Sequence, residues 1–156
     1  MTPQDLAAYL YEHIPLTRAL AVEVLEVGED NVRLRAPLAP NRNHRQTAFG
    51  GSVASLAILA GWGWLHARLA PAAPGLRLVI QRQAMEYLLP IDAAFVADCH
   101  APPAASWQRF SKALASRGRG RIELQAQVSC SAGVAARFTG VYVAIAGDRA
   151  AAGELA

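Results

Sequence analysis

Between Gly51 and Leu69 the chain reads GSVASLAILAGWGWLHARL and meets no charged side chain until Arg68. Leu56, Ile58, Leu59, Trp62, Trp64 and Leu65 fall all round a 3.6-residue turn rather than along one stripe. A helix that is apolar on every side must be enclosed, by protein or by lipid. A lipid span needs about 20 predominantly apolar residues. Ser52, Ser55, Gly61, Gly63 and His66 dilute this segment, so the pattern predicts a helix enclosed by protein and no membrane span. Enclosure requires a sheet that wraps it.

The remaining segments can supply that sheet. Residues 20–27, 31–36, 76–88, 93–101, 121–131 and 134–145 read as strands. Ile122, Leu124, Ala126, Val128 and Cys130 alternate with Glu123, Gln125, Gln127 and Ser129, the period of a strand with one buried face. Gly28-Glu29-Asp30 and Ala132-Gly133 carry turn chemistry. Ahead of the strands, Thr2 reads as an N-cap, with Pro3 at the first helical position and Asp5 near the positive end of the dipole. Leu6, Tyr9, Leu10 and Ile14 follow at helical spacing, and Pro15 stops that helix, placed at 3–14. Ser106 to Ala115 reads as a short helix with Trp107, Phe110 and Leu114 on its apolar side. No linker or repeat divides the chain. The expected arrangement is one α+β domain over 1–146, an antiparallel sheet rolled around one long helix, with a loose tail over 147–156.

Composition narrows the function classes. The 156 residues are 53% hydrophobic and 17% charged, enough for a sizeable core and too apolar for wholesale disorder. The net charge is +3 with no run of four Lys or Arg, so no nucleic-acid partner is expected. Cys99 and Cys130 make no disulfide framework and read as reduced, half-buried strand residues. Met1 to Glu12 has an early acid and no basic stretch ahead of an apolar run, so no secretory signal is read and a cytoplasmic protein is expected. No Cys/His spacing suggests a metal. Asp92 and Asp98 are isolated, and His66 and His100 read as partly buried structural residues.

The order of elements and the run Asn43-His44-Arg45-Gln46-Thr47-Ala48-Phe49-Gly50-Gly51-Ser52 resemble the hotdog-fold thioesterase superfamily. Within it they are most similar to the branch typified by the YiiD C-terminal domain. A TAFGGS-like turn there leads into a helix with an LAGWG-like stretch, matched here by Leu59-Ala60-Gly61-Trp62-Gly63. Met85-Glu86-Tyr87-Leu88-Leu89-Pro90 also looks like that branch. The likeness covers residues from about Ile14 to Ile145. It implies a hotdog fold, hydrolysis of an acyl-CoA or acyl-carrier-protein thioester, and a homodimer or higher homo-oligomer. No separate cofactor is implied, since coenzyme A or phosphopantetheine is part of the substrate. Better-understood hotdog thioesterases carry a histidine before the paired glycines and an acid on the helix. Here Phe49 and Ile58 stand at those places, so that mechanism does not carry over intact.

The candidate site follows from the glycine turn. Gly50 and Gly51 open the long helix, where free N–H groups and the dipole favour a developing oxyanion. Alternatively the glycines only permit a tight turn. Asn43 could orient water or the acyl carbonyl, or merely form the loop. His44 could be the general base, since imidazole exchanges protons near neutral pH, or could simply hydrogen-bond the loop. Thr47, Phe49 and Ser52 join the list as substrate contacts, with an N-cap the expected role of Ser52. Glu86 is the remaining acid that could cross a dimer seam, or it lies on a solvated strand face. Arg117, Arg119 and Arg121 could meet the phosphates of coenzyme A or phosphopantetheine, or solubilise a strand start. Two rivals remain: a non-catalytic acyl-thioester or lipid-binding module, favoured by the absent helix acid, and a hydratase, disfavoured because hydratases also pair His with an acid.

Overall fold

The computed structural model describes residues 1–73 and 75–147. The expected tail, apart from Gly147, lies outside the described residues. Helix α1, Pro3–His13, begins as its sequence directs. The Asp5 N–H donates to Thr2 Oγ1 at 3.1 Å, and the Thr2 N–H donates to the Asp5 carboxylate at 2.8 Å. This reciprocal pair satisfies two amides that the first turn leaves open. A one-turn helix, α2 (Leu16–Ala19), follows where the sequence suggested only a stop. Its Thr17 hydroxyl is buried and lies 3.0 Å from Leu10 O and 2.8 Å from Ile14 O. Ala21 turns the chain at φ +52°, so β1 is Glu23–Val27 and not the longer 20–27 segment.

Strands β2 (Asn31–Ala36), β3 (Arg77–Tyr87), β4 (Phe95–His100), β5 (Arg119–Cys130) and β6 (Gly133–Ile145) complete a six-stranded sheet. Its order is β1-β2-β4-β5-β6-β3, and every pairing is antiparallel. The long helix α3, Gly50–Leu69, lies against one face of this sheet and packs on β2 through β6. Along β5 the alternation is strict: Ile122, Leu124, Ala126 and Val128 are buried, while Arg121, Glu123, Gln125 and Gln127 are exposed.

Close approach of α3 to the sheet depends on Gly61. The Tyr142 ring of β6 occupies the space where a Cβ would stand, and its hydroxyl donates to Ile58 O at 2.8 Å. Burial pushes the Tyr142 phenol far above its ordinary range, so this donor stays protonated. Cys99 is buried outright rather than half-buried, and burial pushes its thiol up to about 12; Cys130 is half-buried. Both cysteines are free.

β4 accompanies β5 only from Ala126 to Ser129. Helix α4, Ala104–Arg117, packs along β5 as the link between them, with Phe110 against Gly120. Gly118, at φ +66°, ends α4 in the left-handed conformation and donates its N–H to Leu114 O at 2.9 Å. Among the described residues no helix is long and apolar enough to cross a membrane.

Candidate active site at the head of the long helix

The chain approaches α3 through a narrow loop. Arg42 and Ala48 form an isolated antiparallel bridge, Asn43 N–H donates to Thr47 O at 2.8 Å, and Gln46 turns the tip at φ +65°. Inside the loop the Asn43 side chain is fully engaged. Its carbonyl accepts from the N–H of Arg45 at 2.8 Å and of Thr47 at 3.3 Å, and its amide donates to Thr47 Oγ1 at 3.0 Å. Asn43 and Thr47 therefore hold this loop together, and neither presents a free polar group to a substrate. Buried Asn41 anchors the base of the loop, donating to Leu20 O at 3.0 Å and Pro37 O at 2.7 Å. His44 sits at the exposed tip and makes no hydrogen bond among the described residues.

The loop delivers Phe49 as the residue before α3. Phe49 is extended, and no side chain caps the helix. The N-cap position falls on Phe49, so Ser52 is the third helical residue and does not act as the cap. Among the described residues the N–H groups of Gly50, Gly51 and Ser52 donate to nothing; the first satisfied amide is Val53, bonded to Phe49 O at 3.1 Å. These three donors and the dipole make this terminus attractive to negative charge.

Tyr87 holds that turn from the side. Its hydroxyl donates to Gly50 O at 2.8 Å, and its ring would lie 3.3 Å from a Cβ at Gly50, a tight contact. The Ala48 N–H donates to Ile91 O at 2.7 Å, which joins the loop ahead of α3 to the segment that follows β3. Between them lies a cleft of about 490 Å³ lined by Gly50, Gly51, Val53, Tyr87, Leu89 and Ile91. Phe49 and Tyr87 at its margin are 57% and 55% exposed, and Leu88 and Leu89 are also exposed. The donors thus sit beside apolar side chains, the surroundings an acyl chain needs. Gly51 is not simply open: a Cβ there would collide with the Phe49 ring.

The other sequence candidates lie elsewhere. Tyr87 faces α3, so its neighbour Glu86 points to the opposite side of the sheet. There it meets Arg137 across the strand pair at 3.3 Å. Arg117, Arg119 and Arg121 line a second, larger cleft, about 1420 Å³, between α4 and that outer face. Within one chain neither Glu86 nor the three arginines are brought to the glycine turn. Sequence reasoning missed the roles of Tyr87 and of the outer cleft. The stretch Met85-Glu86-Tyr87 stands out in the sequence, but the pairing of β3 with β6 reveals which side each residue faces. Among the described residues no three His, Cys, Asp or Glu side chains cluster as a metal would require.

The model of the family described as "Putative thioesterase (yiiD_Cterm)" matches residues 3–146. Among solved structures, a protein of unknown function from Chlorobaculum tepidum is 29% identical, with a TM-score of 0.83 over 93% of this chain and 97% of that one. A protein described as "putative thioesterase" from Shewanella oneidensis is 26% identical, with a TM-score of 0.75 over 92% and 96% of the two chains. A thioesterase from Haemophilus influenzae, 15% identical, superposes with a TM-score of 0.72 over 94% and 92% and shares the fold. The antiparallel sheet wrapped on α3 is the hotdog fold.

Proposed function

The chain belongs to this thioesterase family, and from that membership we propose that it hydrolyses an acyl thioester at the head of α3. The observation that carries this reading is the trio of unbonded N–H groups at Gly50, Gly51 and Ser52, at a helix head where Gly50 and Gly51 line an apolar cleft. Water would add to the thioester carbonyl carbon and place negative charge on its oxygen, which these donors would hold. Collapse then breaks the C–S bond, releasing a carboxylic acid and a thiol. Tyr87 positions the donors by its bond to Gly50 O.

His44 is our candidate for the base that takes the proton from water, as the imidazole on the loop leading into α3. Asn43 and Thr47 support it by fixing the loop. The substrate is an acyl group carried on coenzyme A or on the phosphopantetheine of a carrier protein.

The rival reading is a module that binds the same thioester without cleaving it. Two observations favour it: Ile58 stands where related enzymes place an acid, and the Phe49 ring covers Gly51. A free-thiol release assay over a panel of acyl-CoAs and acyl-carrier-protein conjugates decides between them. Hydrolysis is expected, lost in Gly51→Val. Binding of the panel without release of any thiol would establish the module instead.

A further inference from the structure

The outer cleft concentrates charge. Six arginines line it, Arg82, Arg109, Arg117, Arg119, Arg121 and Arg137, against the two glutamates Glu86 and Glu123. This surplus of four exceeds the net charge of +3 carried by the whole chain. Among the described residues only Arg137 of these six is ion-paired, to Glu86, and Arg109 donates to the Ser106 hydroxyl at 3.1 Å. Among the described residues Arg82, Arg117, Arg119 and Arg121 have neither an ion pair nor a side-chain hydrogen bond. Grouping like charges costs electrostatic free energy unless counter-charge arrives from outside.

Strand register fixes how the arginines are laid out. Arg119 and Arg121 follow one another on the outer face of β5. Arg82 of β3 lies opposite Val141, which lies opposite Glu123 of β5. Arg137 of β6 lies opposite Gln127, near the other end. From Arg119 to the Gln127 row is about 26 Å at ~3.3 Å per strand residue. Arg109 and Arg117 of α4 form the side wall.

We infer that this trough is a docking surface for an acidic helix of another protein. A helix covering about 26 Å has roughly 17 residues, long enough to engage both ends, whereas a single phosphate meets one or two guanidiniums. The interleaved Glu86 and Glu123 suit a partner whose acids are punctuated by other side chains, and repel an unbroken phosphate backbone. Single-stranded nucleic acid uses exposed aromatic rings for base stacking; the rings in this lining, Phe110 and Phe138, are buried. A second copy of the chain would bring a like-charged trough to face this one, which is repulsive. The inference stands apart from the thioesterase reading, because the trough lies on the face away from α3.

The test uses fluorescence anisotropy of the whole protein with a labelled helical peptide of about 17 residues bearing glutamates along one face. Binding is expected at low ionic strength, weakening as salt rises. The double variant Arg119→Glu/Arg121→Glu should weaken it about tenfold or more by placing like charges together. Arg18→Glu/Arg45→Glu makes the same change in net charge away from the trough and should leave binding within about twofold. Circular dichroism checks folding, and Arg82→Gln/Arg117→Gln gives a milder second reading of the same face. Neither coenzyme A nor an oligothymidylate should displace the peptide. The inference is overturned by absence of binding, by equal losses in the two charge-reversal variants, or by displacement with either competitor. Thiol release is assayed separately, so failure of one proposal leaves the other standing.

Discussion

At Gly51 a missing side chain is used twice: it leaves the backbone N–H accessible and gives the Phe49 ring a place to rest. Valine there would push that ring outward. Because Phe49 is largely exposed, the displacement is tolerable and the fold should survive. The valine would still crowd the three donors, and losing one oxyanion donor typically costs about 100- to 1,000-fold in rate. Thiol release by Gly51→Val at the wild-type rate would therefore remove the donors from the mechanism. His44→Ala is expected to lower turnover about 100- to 10,000-fold with substrate binding little changed, the usual effect of losing a general base. Unchanged turnover would move the base elsewhere. The turn Thr47-Ala48-Phe49-Gly50-Gly51-Ser52 stands out as a candidate site through its resemblance to the family; its residues alone are equally those of a tight turn. The cover over Gly51 was not legible, because it depends on where a neighbouring ring packs. The cap role expected of Ser52 does not fit a helix that Gly50 and Gly51 open, since the cap position then falls on Phe49.

Aromatic side chains of α1 and α3 meet in one cluster. His13, Tyr9, His66 and Trp62 form a run of rings, stacked for Tyr9–His13 at 4.1 Å between centroids and Trp62–His66 at 4.5 Å, and tilted by 39° for Tyr9–His66 at 4.2 Å. Burial, and then the nearby His13, hold the His66 imidazole below its ordinary value of 6.5. The folded state thus favours neutral His66 more than the unfolded chain does. The stability this contributes is present above pH 6.5 and is lost as pH falls from there toward the depressed folded value. Calorimetry of the wild type from pH 8 to 5 should show a steeper fall in Tm than His66→Phe, which keeps a ring in the stack. Parallel curves would exclude His66 as the source. Farther along α3, Gly61→Ala should cost about 1–3 kcal/mol by overpacking against Tyr142, measurable in urea. The elements themselves were readable where periodicity was strong, as in α1, α3 and β5. α2 escaped because four residues cannot show a period, and β1 shortened because the turn at Ala21 leaves no mark in hydropathy.

At the scale of the molecule, the all-round apolar character of α3 already demanded a wrapping sheet. The basic trough was not readable, since it requires the register of β3, β6 and β5 together. The same sheet exposes two edges, and they differ. β1 is short, carries Glu23 and Glu26, and has a register shift between Val24 and Glu26, all devices that discourage pairing. β3 runs for 11 residues and, among the described residues, pairs only with β6, leaving its other side open. Apolar Val79, Tyr87, Leu88 and Leu89 are exposed along or just beyond it. A long open edge flanked by apolar side chains is a liability unless another chain covers it. A second copy can do so with two-fold symmetry, each β3 serving as the other's neighbour. It would also carry the partner's strand end toward the cleft beside Gly50, enclosing a site that one chain leaves open. The expected assembly is therefore at least a dimer joined through β3. Light scattering at micromolar concentration should return at least twice the 16.6 kDa of one chain. Leu88→Asp/Leu89→Asp should shift the mass downward and reduce thiol release in step, if the second chain completes the cleft. A wild-type mass of one chain would rule the dimer out, and full activity in a monomeric variant would show that one chain suffices.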